Sequence, residues 1–139
     1  MLENEEFEEF QTTRAATSST AISRDCITQC LLIEQLRYIE YPSGGYIGPH
    51  TDGVRVCPVT LQATNMTMIL YLQDSFTGET KFLHGTKSEN KAICSITPRK
   101  GNMLIFQHHL LHMGDGVGNE GKILLRGDIV VPPVVSTSK

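Results

Sequence analysis

From Ile33 to Val131 the chain is a succession of short apolar segments, each broken within a few residues by Gly, Pro, Asn, Asp or Ser. That punctuation restricts it to a β fold. Gln35 to Tyr41 reads as a strand, with Leu36, Tyr38 and Glu40 on one side and Arg37, Ile39 and Tyr41 on the other. Pro42-Ser-Gly-Gly45 supplies the turn chemistry that ends it. Tyr46 to His50 is short and extended, because Pro49 keeps Gly48 out of the helical region. Gly53 to Cys57 is expected as a small strand. Met66 to Leu72, an unbroken apolar run with one Thr, is the strongest strand signal. Thr80 to His84, Ala92 to Ile96, Met103 to Gln107 and Lys122 to Val131 follow, the last stopped by Pro132-Pro133. Asp74 to Gly78, Gly85 to Lys91 and Met113 to Gly121 read as loops. Before this series, Ile22 to Ile33 has apolar residues at helical spacing and is expected as a short helix or an irregular lead-in.

About eight short strands with brief connections and almost no helix suit an all-β, two-sheet antiparallel sandwich or jelly roll. An open sheet would leave one face of Met66 to Leu72 in water. A chain of 139 residues has the size of one domain. Residues 1–21, acidic at first and then rich in Ser and Thr, are expected as a flexible N-terminal arm. Residues 22–132 form the domain, and 133–139 a flexible C-terminal tail.

The formal net charge of -3 argues against a nucleic-acid partner, which selects for a basic face. No apolar run approaches the ~20 residues that cross a bilayer, and the N-terminus lacks the apolar core of a secretory signal. A cytoplasmic protein with no membrane partner is therefore expected. Its cysteines, Cys26, Cys30, Cys57 and Cys94, are read as reduced, buried thiols.

His50 and Asp52 are one residue apart. On extended chain, i and i+2 point the same way, so an imidazole and a carboxylate are offered together. Alone, His-x-Asp is equally a surface turn. The context adds His112 at the end of another apolar strand, then a Gly-rich loop, then a strand carrying Lys122 and Arg126. Two His and one carboxylate on three adjacent corners of an octahedron leave open positions, the arrangement of non-haem Fe(II) oxygenases. His108 and His109 compete with His112 for the distal position. In an extended segment His108 shares its face, so parity does not exclude it. His84 is a lone His at a strand end. Lys122 and Arg126 by themselves are equally solvated strand cations, and Tyr41 equally a core residue.

Four stretches in order carry a resemblance: Tyr41 to Gly53 (Tyr-x-x-Gly-Gly-Tyr-x-x-Pro-His-x-Asp-Gly), Phe76 to Phe82, Pro98 to Gly114, and Gly121 to Asp128. The chain resembles the 2-oxoglutarate/Fe(II) oxygenases over about residues 33–131, and within them the prolyl 4-hydroxylase-like branch. The resemblance implies a double-stranded β-helix, or jelly roll. It implies Fe(II), 2-oxoglutarate and O2 as cofactors, with ascorbate as an auxiliary reductant. His50, Asp52 and His112 then match the metal ligands. Lys122 matches the cation that binds the far carboxylate of 2-oxoglutarate; Arg126, on the same face, shares or takes over that role. Tyr41 matches the Tyr whose hydroxyl contacts the same carboxylate, and Tyr46 lies on the substrate side. The implied reaction is hydroxylation of an unactivated C–H bond in a small molecule or peptide, with peptidyl proline the nearest analogy. The alternative is a non-catalytic or truncated jelly roll that retains the metal and 2-oxoglutarate site. Relatives carry helices before the first core strand, and this chain offers little there; its loop Met113 to Gly121 also lacks a Pro common in the family.

Overall fold

The computed structural model describes residues 30–33 and 35–132. The arm at 1–21, the tail at 133–139 and most of the expected helix at 22–33 lie outside the described residues. Where that helix can be inspected, Leu31 and Leu32 are instead a strand. The strands are β1 (Leu31–Leu32), β2 (Arg37–Tyr41), β3 (Ile47–His50), β4 (Met66–Tyr71), β5 (Thr80–Gly85), β6 (Asn90–Ile96), β7 (Met103–Gln107), β8 (His112–Gly114) and β9 (Lys122–Val130). No helix occurs among the described residues.

Two antiparallel sheets form, as the strand pattern requires. One has the order β1-β9-β4-β7, with β2 also paired to β9; the other is β3-β8-β5-β6. β4 aligns along one edge of β9, from Met66↔Ile129 to Tyr71↔Leu124. β2 and β1 lie end to end along the other edge, Arg37 to Tyr41 opposite Arg126 to Lys122 and Leu31 opposite Val130. The fold is a jelly roll.

Period-two alternation decides what each strand sends between the sheets. β4 sends Ile69 and Tyr71, β7 sends Leu104 and Phe106, and β9 sends Leu124; these five form the buried core. Ile39, Tyr41, Phe82 and Ile96 pack against it. Phe82 meets Phe106 edge to face, with ring centroids 5.1 Å apart. Tyr71 of β4 and Thr80 of β5 share a buried hydrogen bond of 2.8 Å that ties one sheet to the other.

Three expectations are corrected. Gly53 to Cys57 is not a strand; that segment makes only an isolated bridge, Val56 to Ala63. The loop expected from Met113 begins as β8, because His112 to Gly114 is held between β3 and β5. Of the thiols expected in the core, Cys57 is buried but Cys94 lies exposed on β6.

Tyr71→Phe should cost about 1 to 3 kcal/mol of stability by leaving the buried Thr80 hydroxyl short of a partner. Urea unfolding should show a lower midpoint with an unchanged slope.

Candidate metal centre

His50 and His112 are cross-strand partners on β3 and β8. Antiparallel partners project on one face, so their rings meet, with centroids 4.2 Å apart. Asp52 follows just beyond the end of β3. Its Oδ1 is 3.7 Å from His50 Nε2, and its Oδ2 is 3.7 Å from His112 Nε2. One ligand atom from each of the three lies within 4.8 Å of the others, close enough for one ion to touch all three.

The surroundings set these side chains as ligands. His50 Nδ1 is 2.8 Å from the Gly48 carbonyl, and His112 Nδ1 is 2.8 Å from that of Leu110. A carbonyl only accepts, so each Nδ1 carries a hydrogen, and each Nε2 faces Asp52. Burial holds the His112 pKa below its ordinary value, and the Leu110 carbonyl opposes that shift. The His112 ring is fixed edge-on by Phe106, 4.7 Å between centroids. Asp52 is gripped by three elements. Its amide donates to the His108 carbonyl (2.9 Å), Thr67 Oγ1 donates to Oδ2 (2.5 Å), and Arg126 Nη2 lies 2.6 Å from Oδ1. Two imidazoles and one oriented carboxylate fit a divalent first-row ion with open positions.

The same cavity is lined by Tyr41, Ile39, Ile69, Thr80, Lys122, Leu124 and Arg126. On β9, Lys122 and Arg126 are four residues apart, about 13 Å along a strand, so the cations stand at opposite ends. Lys122 is 2% exposed. Its Nζ donates to the Gly78 carbonyl (2.7 Å) and sits 4.5 Å above the centre of the Tyr41 ring. Among the described residues no carboxylate pairs with it. Burial lowers its pKa to about 8, with Asp115 pulling the other way. Gly78 and Gly114 wall this end; a Cβ on either would come within 3.5 Å of Nζ. The result is a buried ammonium beside space that small residues keep clear.

Glu120 holds the Gly78 end in place. Its Oε1 accepts hydrogen bonds from Ser75 Oγ, Phe76 N, Thr77 N and Thr77 Oγ1. These bonds, that of the Thr77 hydroxyl foremost, lower its pKa to about 2.

The structure thus gathers His50, Asp52, His112, Tyr41, Lys122 and Arg126 in one cavity. Arg126 stands on Asp52, and Lys122 occupies the far end. Tyr46 is 72% exposed and does not line the cavity. His108 is buried but outside the triad, because the turn at 108–110 (Leu110 N to Gln107 O, 3.1 Å) breaks the extended run that parity assumed. Sequence reasoning missed Thr67 and Asp128. Their signal was a polar residue at an inward position of an apolar strand, and Asp128 also closes the stretch from Gly121 that carries the resemblance.

A jelly roll with two histidines and a carboxylate at its mouth, and a buried cation deeper in, is the architecture of a metal-dependent oxygenase. The sequence pattern of the 2OG-Fe(II) oxygenase superfamily matches residues 36–127, and the chain belongs to that superfamily. Its cofactors are accordingly Fe(II), 2-oxoglutarate and O2. Among solved structures, the fold is similar to a viral collagen prolyl hydroxylase from Paramecium Bursaria Chlorella virus-1, at TM-score 0.55 and 22% identity, covering 93% of this chain and 66% of that one. An oxidoreductase of the 2OG-Fe(II) oxygenase family from Burkholderia pseudomallei matches at TM-score 0.53 and 13% identity, covering 73% and 45%. A prolyl-4-hydroxylase from Pseudomonas putida matches at TM-score 0.50 and 16% identity, covering 67% and 49%. This chain spans less than two thirds of each of those proteins. Comparison with curated proteins gave no match.

Lys122 titrates near 10.5 in the unfolded chain and near 8 in the fold. Between those values the unfolded state holds more protons, so the stability of the co-substrate-free protein should rise with pH. Urea unfolding across that range should show the rise, and Lys122→Met should abolish it. Glu120 gives a slope of the same sign at lower pH, since its folded pKa is also depressed. Its clamp is fully present above about pH 4.5 and lost as pH falls toward 2. Glu120→Gln should speed amide exchange at Phe76 and Thr77 at neutral pH.

Proposed function

We propose that this chain is a 2-oxoglutarate-dependent dioxygenase that hydroxylates an unactivated C–H bond, with His50, Asp52 and His112 as the iron ligands. The observation that carries the reading is the presence, in one cavity, of that triad and a buried ammonium lacking a carboxylate partner among the described residues. When bound, Fe(II) and 2-oxoglutarate supply O2 activation, coupling decarboxylation to succinate and CO2 with hydroxylation of substrate.

The chain's own residues do the rest. His50 and His112 present Nε2 and Asp52 an oriented carboxylate. Lys122 pairs with the far carboxylate of the co-substrate, which replaces water that the buried ammonium lacks. The Tyr41 ring forms the floor under that ammonium, and Ile39, Ile69 and Leu124 keep the middle of the cavity apolar. Arg126 belongs to the metal end in this reading. Tyr46, exposed beside the cavity-lining Ile47, is the substrate-side residue. A peptide substrate oxidised at proline is the nearest analogy, and the resemblance in fold to two proteins named as prolyl hydroxylases supports it. A cytoplasmic setting belongs to the same proposal, since a reducing compartment suits both ferrous iron and the surface thiol of Cys94.

The test is succinate release from 2-oxoglutarate by the Fe(II)-loaded protein, with candidate peptides present. His50→Ala and Asp52→Ala should abolish it. Lys122→Ala should raise the KM for 2-oxoglutarate roughly 10- to 100-fold, the worth of a hydrogen bond to a charged group. If Arg126→Ala raises that KM and Lys122→Ala does not, the co-substrate is anchored at the other end. Metal binding without succinate release would mark a non-catalytic jelly roll that keeps the site.

A further inference from the structure

Behind the metal centre lies a second polar cluster to which the reaction assigns no role. Asp128 is 2% exposed and His108 4%, yet among the described residues both His108 ring nitrogens and Asp128 Oδ1 lack a hydrogen-bond partner. Asp128 Oδ1 is 3.5 Å from His108 Nε2 and 3.6 Å from Arg126 Nη2. Its Oδ2 is 3.4 Å from Arg37 Nη2 and 3.6 Å from Arg55 Nη1. Three guanidiniums and an imidazole thus face one buried carboxylate, which argues against a second cation there.

The link to the metal centre is a single nitrogen. Arg126 Nη2, 3.6 Å from Asp128, is also 2.6 Å from Asp52 Oδ1. A guanidinium resting on Asp52 alone would compete with a dication for the same carboxylate. A second carboxylate on its other side shares that positive charge. His108 joins the two groups: its ring faces Asp128 and its carbonyl holds the Asp52 amide.

We propose that Asp128 is a positioning residue for the metal centre: through Arg126 it sets how strongly Asp52 is held away from, or released to, the ion. This rests on His50, Asp52 and His112 binding metal. Groups that orient metal ligands change affinity by about 10- to 100-fold when removed. The cluster is one step further out, so the lower end is expected.

The experiment is Mn(II) titration of the full metal-stripped chain without 2-oxoglutarate, with free aqueous Mn(II) read by EPR. Asp128→Asn should weaken Mn(II) binding about tenfold. In an Arg126→Gln background the same substitution should change it less than about twofold, because the intermediary is gone. Arg37→Gln, which touches Asp128 and not Asp52, should also stay within about twofold. Should Asp128→Asn fail to fold, Asp128→Glu keeps the charge but displaces it, and should show the same dependence on Arg126. An equal loss with and without Arg126 would overturn the proposal in favour of plain through-space charge or packing, as would no loss at all. Absence of Mn(II) binding by the wild-type chain would instead overturn the metal-centre reading beneath it.

Discussion

The structure depends on β9 being paired along both edges at once. β4 occupies one edge and β2 with β1 the other. With no free edge to slip along, its register is fixed, and a one-residue slip would turn every inward side chain outward. What it sends inward is Lys122, Leu124, Arg126 and Asp128, two charges of one sign, an apolar spacer and one of the other sign. A strand with that face is expensive to bury unless each charge meets a partner. Arg126 meets both Asp128 and Asp52. Lys122 meets a single carbonyl and an aromatic face.

The smaller sheet contributes differently. β3 and β8 are short, and their value lies in one cross-strand pair, His50 with His112. A register shift between Ile47 and His50 lets β3 bend toward its neighbour. Gly114 lets the strands close, since a Cβ there would lie 2.8 Å from Ile47 Cγ2. Neither sheet holds the site alone. The smaller one brings the imidazoles, while the larger one, through Thr67 and Arg126, aims the carboxylate that follows β3.

Much of this was legible in the sequence because apolar runs and turn residues report backbone periodicity directly. The strands read at Met66 to Leu72 and Met103 to Gln107 emerged as Met66–Tyr71 and Met103–Gln107. β8 was illegible, since His112-Met-Gly has no β signal and is a strand only because β3 and β5 flank it. Gly53 to Cys57 failed in the opposite sense: its valines suit a strand, but Val54 and Val56 are exposed and find no ladder. At the site, parity carried Lys122 and Arg126 onto one face correctly. It could not say that their far separation leaves one cation on Asp52 and the other with no carboxylate partner among the described residues. His108 and His112 looked equivalent until the turn at Leu110 rotated them apart.

The asymmetry between the two cations bears on how the cavity chooses its occupant. A carboxylate arriving near Arg126 must compete with Asp52, already in contact at 2.6 Å. One arriving near Lys122 displaces no ion pair among the described residues and relieves an ammonium whose pKa burial has lowered to about 8. A ligand with two acidic ends, one for a metal and one for Lys122, gains at both. A monoacid of the same length leaves Lys122 as desolvated as before. On the proposed reading, selectivity for a dianion would reside less in an attractive pair already made than in a buried charge with no carboxylate partner among the described residues, and the small walls at Gly78 and Gly114 keep room for that partner.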